Sequence, residues 1–173
     1  MHAIAFLRGI NLGGHNVKKD QLIKIFESVG AREVTTFIAS GNVVFDAASA
    51  PTESAAEDAF VAAVGYAAPT FIRTTKELRR VVDRRPFEGR GPETGGTLHV
   101  GFLKQKAPAK ALTALEDDIN EFQVDGTTIY WHTHTPRMSD SGINPKQMEK
   151  AIGQDSTFRS IKTIVNILEK WPD

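Results

Sequence analysis

The chain opens on an unbroken apolar run, Ala3 to Leu7, too short for a helix and halted by Arg8-Gly9. It predicts a strand leading into a loop that carries Gly9, Gly13 and Gly14. Asn16 offers a cap to a helix whose stripe, Leu22, Ile25, Phe26 and Val29, follows helical spacing, and Gly30 supplies a left-handed stop. Val34 to Ile38 and Val43 to Phe45 are β-branched and aromatic. Ser40-Gly41-Asn42 between them tolerates a tight reversal, so the two segments predict a hairpin. Thr52 caps a second helix with Ala56, Phe60, Ala63 and Val64 on one face, Gly65 ends it, and Pro69 to Arg73 reads as a strand. The first half is therefore β-α-β-β-α-β. Thr74 and Glu77, three apart, have capping-box spacing and start a connecting helix with Leu78, Val81 and Val82 that Pro86 terminates.

Residues 86–96, PFEGRGPETGG, hold too little apolar surface to order against a core and mark a boundary. Beyond it, Thr97 to Leu103 reads as a strand, and Pro108 sits in the first turn of a helix that sends Leu112, Leu115 and Ile119 to the core. Asp125-Gly126 is the strongest hairpin signal in the chain. As the two-residue loop of a type I′ turn it sets Val124 opposite Thr127 and Phe122 opposite Ile129. Alternation puts Phe122, Val124, Ile129 and Trp131 on one face and Tyr130, His132 and His134 on the other. A helix from about Pro145 to Ile152, a short stretch near Ser156 to Phe158 and a last helix through Ile161, Ile164, Val165 and Leu168 repeat the order of the first half. The expected class is α+β, with two ferredoxin-like βαββαβ subdomains: 1–85 with the connecting helix, a linker over 86–96, and 97–173. Units of this size have marginal cores, which predicts that the two pack as one bipartite body.

Composition narrows the chemistry. The 173 residues are 40% hydrophobic and 24% charged and include no Cys, which excludes disorder, a disulfide framework and thiol catalysis. Lys plus Arg and Asp plus Glu both total 21, so no net field draws the protein to nucleic acid or to a membrane, and any anion site must be local. With no long apolar segment at the start, a cytoplasmic, non-membrane protein is expected. Arg73, Lys76, Arg79, Arg80, Arg84, Arg85 and Arg90 form a basic stretch, and Glu116, Asp117, Asp118, Glu121 and Asp125 an acidic run. Leu98 to Leu103 lacks the basic-Gly-aromatic signature of an RNA-recognition sheet, so the basic stretch reads first as a solvated helix face.

Three groups of residues have candidate chemistry. The loop Arg8 to Gly14 joins a strand end to a helix start, where glycines let backbone N–H groups turn around an anion and the helix dipole adds positive potential. Residues 1–19 contain Arg8, Lys18 and Lys19 and no acid, and a bound anion would offset cations in a helix's first turn. The alternative is a plain turn with solvated lysines; neither a Walker nor a G-x-G-x-x-G spacing is present, so no nucleotide class follows. Ser40 and Asn42 can present a hydroxyl and an amide, or simply serve the reversal; nothing around Ser40 resembles a nucleophile elbow. His132 and His134 point the same way on a strand, and His99 or Asp140 could add a third metal ligand; the plainer reading is a polar sheet face beside Tyr130, and no metal or cofactor is assigned. No paired carboxylates or activated nucleophile stand out, which leaves catalysis undecided.

The segments Phe6-Leu7-Arg8-Gly9-Ile10-Asn11-Leu12-Gly13-Gly14 and Ser40-Gly41-Asn42-Val43-Val44-Phe45 resemble the two signatures of a bacterial family of unknown function, number sixteen ninety-seven. Ile129-Tyr130-Trp131, Ser139-Asp140-Ser141 and Thr157-Phe158-Arg159, with Thr163 beyond, resemble its closing pattern; Ser160 and Asn166 stand where the family usually has Asn and Lys. The resemblance implies a bipartite α/β structure related to two ferredoxin-like units and implies no reaction. Together these readings give an expected small anionic ligand, phosphate-bearing or nucleotide-like, held between the subdomains. Arg8, Gly9, Asn11, Gly13, Gly14, Ser40, Asn42 and Arg159 would hold it, with Arg8 and Arg159 as a pair of guanidinium clamps. A nucleic-acid-binding module using the basic helix and an open sheet face, and an interaction scaffold without a ligand, are the alternatives.

Overall fold

The structure is a computed structural model that describes residues 1–11, 13–38, 41–87 and 96–172. The chain divides into two compact units, Met1–Arg80 with Ile167–Asp173, and Val81–Asn166. Most of the predicted linker, 88–95, lies outside the described residues.

The first unit contains β1 (His2–Leu7), α1 (Lys19–Ser28), β2 (Thr35–Thr36), β3 (Asn42–Asp46), α2 (Glu53–Val64) and β4 (Thr70–Thr74), after which α3 (Thr75–Asp83) leads away. Its sheet runs β2-β3-β1-β4 with every neighbouring pair antiparallel. Ala3, Ala5, Leu7, Val43 and Phe45 face the helices and pack on Leu22, Ile25, Phe26, Ala56 and Phe60. Ile4, Phe6, Val44 and Phe71, pointing the other way, are also fully buried. Burial on both faces explains why β1 reads as a continuous apolar run instead of an alternation. The outer strand β4 does not leave its edge bare, because Glu57 accepts the Thr70 N–H and Glu53 the Ile72 N–H, each at 2.8 Å. Two carboxylates from α2 thus occupy donors that another chain could otherwise pair with.

Helix ends follow the sequence signals with one exception. Thr52 Oγ1 accepts the Ala55 N–H at 3.1 Å, Gly65 takes the left-handed position with φ +83°, and Glu77 and Thr74 bond reciprocally at the start of α3. On α2 the packed row runs through Ala56, Phe60 and Val64, four apart, and Ala63 is exposed. Asn16 does not cap α1. The N-cap is Lys18, which makes no side-chain cap bond. The cause lies upstream: Val17 is buried and its N–H is taken by Asn11 Oδ1 at 3.1 Å, so the chain stays extended past Asn16.

The second unit contains β5 (Thr97–Phe102), β6 (Asn120–Asp125), β7 (Thr128–Thr133), α4 (Pro145–Ile152) and β8 (Thr157–Ser160), together with the start of α5 (Ile161–Lys170), whose last residues from Ile167 belong to the first unit. Its sheet order is β6-β7-β5-β8, again antiparallel throughout. Numbered within its own unit, each sheet reads 2-3-1-4, the order of a ferredoxin-like fold. The protein is therefore α+β with two ferredoxin-like units.

Two expectations for this unit are corrected. The helix predicted from Pro108 shrinks to turns and a short 3-10 segment, Thr113–Leu115; Leu112 is buried as expected, but Ile119 is 40% exposed. Asp117 Oδ1 accepts the N–H groups of Ile119 and Asn120 at 2.8 and 2.7 Å, a turn that launches β6 in place of a last helical turn. Those backbone donors hold the Asp117 carboxyl below its ordinary range. The β6–β7 hairpin forms, but its loop is Gly126-Thr127, so Val124 faces Ile129 and Phe122 faces Trp131. Only Gly126 has positive φ, the pattern of a glycine-first turn, whereas type I′ needs both central residues there. The two-residue shift is even, so the assignment of faces survives it.

Trp131 anchors the helix-facing side. Its ring stacks with Phe122 at 5.5 Å and meets Phe158 edge-on at 5.7 Å, and its indole N–H donates to the buried Asn120 Oδ1 at 2.9 Å. Phe158 reaches across β5 only because residue 101 is glycine: a Cβ there would sit 2.5 Å from the ring. Gly101→Ala is expected to destabilise by about 1–3 kcal/mol through overpacking and to alter the near-ultraviolet circular dichroism of Trp131, checked by urea unfolding beside the native spectrum.

Candidate functional site

At the end of β1, two backbone bonds anchor the start of the first motif loop. The Leu7 N–H donates to Gly41 O at 2.8 Å and the Arg8 N–H to Pro69 O at 2.9 Å. The Tyr66 hydroxyl donates to Ile10 O at 2.9 Å while His15 stacks on the Tyr66 ring at 3.9 Å. Gly9, Gly13 and Gly14 all have positive φ, so the chain turns back on itself before Val17. The second motif loop is closed from its own side: Asn42 donates through Nδ2 to Phe37 O, and the Phe37 N–H donates to Asn42 O, both at 3.0 Å.

The two loops meet at a recess of about 270 Å³ at the N-terminus of α1. Ile10 and Asn11 line it from the first loop, Gly41 from the second, Lys18 and Lys19 from the helix, and Thr36 from β2. Gly41 makes the meeting possible. It has φ +75°, and a Cβ on it would come within 3.1 Å of both the Ile10 side chain and Leu7 O. The Gln21 and Leu22 N–H groups donate to Lys18 O, and among the described residues the amides of Lys19 and Asp20 have no acceptor. A helix start without a cap, beside two lysines, is chemically suited to an anion.

Of the sequence candidates, Asn11 lines this recess and also holds Val17 through its side-chain oxygen. Gly13 and Gly14 are exposed loop residues, and Gly9 and Arg8 stand at the end of β1. Asn42 is fully buried and spans the base of its loop. Ser40 lies outside the described residues. Arg159 belongs to the second unit, where Nη1 donates to Thr157 Oγ1 at 2.9 Å and Phe158 O at 2.8 Å, and burial pushes its pKa down to about 10.

The internal repeat gives Arg159 a counterpart that motif reading missed. Arg73 lies opposite Ile4 of β1 as Arg159 lies opposite Val100 of β5, and Arg73 Nη1 likewise donates to the preceding carbonyl, Ile72 O, at 2.7 Å. Its Nη1 is also 3.4 Å from Glu53 Oε1. Lining the two halves up by strand order, rather than scanning each for motifs, is the signal that would have found it.

The imidazole pair also changes. His99 pairs with Trp131 and so lies on the face opposite His132, where burial lowers its pKa; Asp140 is exposed in a 3-10 turn. Neither is a third donor beside His132 and His134. That surface is not an open polar face either, since Tyr130 and His132 are 3% and 1% exposed.

Fold and recess together define a two-unit α+β protein of ferredoxin-like halves with a lysine-edged recess at one helix start. The chain belongs to the DUF1697 family of proteins of unknown function, whose family model matches residues 1–130. It is similar in fold to the conserved bacterial protein SP0830 from Streptococcus pneumoniae: 16% identity, a TM-score of 0.67, and coverage of 99% of this chain and 98% of that one. No curated protein matches the chain. No helix among the described residues is long and apolar enough to cross a membrane.

Two measurements test these environments. Gly41→Ala forces a side chain into both a left-handed backbone and the Ile10 contact; a loss of about 1–3 kcal/mol in urea unfolding is expected. Burial, reinforced by the Asp125 charge and opposed by Arg84, pushes the Tyr130 hydroxyl up to about 12. The chain has two tyrosines, so in Tyr66→Phe an ultraviolet titration should show one phenol ionising near pH 12. Because the folded pKa lies above the unfolded value, the associated stability is full below about pH 10 and is lost as pH rises through 12.

Proposed function

We propose that the first unit binds a small phosphate-bearing anion in the recess at the start of α1. The observation that carries this reading is the convergence of Lys18, Lys19 and an uncapped helix N-terminus with both motif loops around one cavity. Each element has a separate physical role. The helix amides and lysines supply positive potential, Asn11 and Thr36 supply polar edges, and Ile10 and Leu22 provide an apolar floor. A volume of about 270 Å³ suits a phosphorylated small molecule more readily than a large cofactor.

A nucleic-acid track is less well supported. Such a role needs exposed rings on a sheet, and in the second unit Val100, Phe102, Tyr130 and Trp131 are all buried. Of the basic stretch, Arg73 faces Glu53 and Arg84 faces Asp125 at 3.2 Å.

A thermal-shift series with inorganic phosphate, nucleoside monophosphates and sugar phosphates tests the reading. At about 100 times Kd a ligand adds about 2.7 kcal/mol of stability to the native state. Wild type should be stabilised by at least one phosphate compound and Lys18→Ala/Lys19→Ala by none, with both melting alike in its absence. Equal stabilisation of both proteins, or of neither, contradicts the reading.

A further inference from the structure

The β6–β7 hairpin assembles a second polar group, independent of the recess. In the observed register Glu121 lies directly opposite His132, and His134, two residues further along β7's path, falls on the same face. Pairing continues to that point, because the His134 N–H donates to Ile119 O at 2.9 Å. Glu121 Oε2 is 3.5 Å from His132 Nδ1 and 3.5 Å from His134 Nε2, and the three donor atoms all lie within 4.8 Å of one another.

Those distances are ion-pair distances longer than direct hydrogen bonds, and they are compatible with a shared ion. Direct hydrogen bonds between such atoms run about 2.7–3.2 Å. Donors gathered around a shared ion at bond lengths of about 2.0–2.2 Å are instead about 3.3–3.6 Å apart in a tetrahedral shell. The two separations from Glu121 fall in the second range, and the imidazole nitrogens, up to 4.8 Å apart, would draw closer around an ion. The surroundings restrain the His132 ring. The His132 ring contacts Phe87 at 5.6 Å, and a Cβ at Gly96 would come within 2.8 Å of Nε2, so the ring is held on that side with Nδ1 directed at Glu121. The rings of His132 and His134 sit edge to face at 4.7 Å. Gln123 Oε1, on the same face as Glu121, is buried without a hydrogen-bond partner and adds a polar atom to the neighbourhood.

We infer that Glu121, His132 and His134 form a site for a divalent first-row transition ion, with Zn²⁺ as the reference case. Two borderline imidazole nitrogens beside one hard carboxylate oxygen suit Zn²⁺, Fe²⁺, Ni²⁺ or Cu²⁺ rather than Mg²⁺ or Ca²⁺. Burial is graded across the site: the side chain of His132 is 1% exposed, Glu121 27% and His134 40%. The ion would be fixed from one side and open on the other, which leaves room for water or a ligand atom.

The test is a competition titration of the chelator-stripped, tag-free full chain with Zn²⁺, repeated with Co²⁺ for its visible absorption. Wild type should bind one ion per chain at this site. His134→Ala and Glu121→Gln should each weaken binding by at least about tenfold and remove the Co²⁺ band while keeping a cooperative melt without metal. His134 is the safer variant because it is partly exposed; if Glu121→Gln fails to fold, His134→Ala decides alone. Absence of Zn²⁺ binding, or binding unchanged in His134→Ala, overturns the inference and assigns any bound ion to other histidines.

Discussion

The seam at Gly41 is the constraint on which the candidate site depends. The Leu7 N–H reaches the Gly41 carbonyl at 2.8 Å, and the Ile10 side chain packs so close that a Cβ on residue 41 would come within 3.1 Å of it. This contact brings the end of β1, the loop after it and the turn before β3 to one place. Without it the two glycine-bearing motifs would be separate surface turns, each explained by reversal chemistry alone. With it, they become two walls of a recess whose third wall is a helix start. The loop's other restraints, from Tyr66, His15 and Asn11, act on backbone already directed by that seam.

The two units solve one topological problem with different materials. Both put the first strand at the centre of a 2-3-1-4 sheet, and both place an arginine opposite the middle of that strand on the edge. The first unit connects its opening strands through a true helix. The second uses a 3-10 segment and an aspartate-anchored turn. The acidic run at 116–121 thus has local work: Asp117 starts β6, Glu116 accepts the Phe122 N–H at 3.1 Å, and Glu121 stands among the histidines. A charge cluster contiguous in the sequence is distributed among three unrelated structural tasks.

The regular elements were legible because each rests on a local rule with few competitors. Leu22, Ile25 and Phe26 can share only a helical face, Thr52 and Gly65 bracket α2 as cap and stop, and Thr74 with Glu77 forms the capping box its spacing implies. The structure departs from these local rules where a side chain takes backbone donors that a helix would otherwise use or leave free. Asn11 draws Val17 away from a helix that Asn16 would otherwise begin, and Asp117 cuts short the helix after Pro108. The hairpin turn falls one residue later than Asp125-Gly126 predicts, and the predicted register, with Ile119 in place of Glu121 opposite His132, hides the carboxylate beside the imidazoles. The recess was partly legible: Lys18, Lys19 and the two motif loops stand out in the chain, whereas the distance between the loops depends on strand pairing that no local pattern records.

The most direct measurement is an amide ¹H–¹⁵N correlation spectrum of the full chain during titration with a nucleoside monophosphate and, separately, with inorganic phosphate. The account predicts saturable shifts that begin at Lys18, Lys19 and Asp20 and extend to Asn11 and Gly41, with the remaining amides nearly still. Shifts concentrated elsewhere, or none as either compound approaches millimolar concentration, would contradict it.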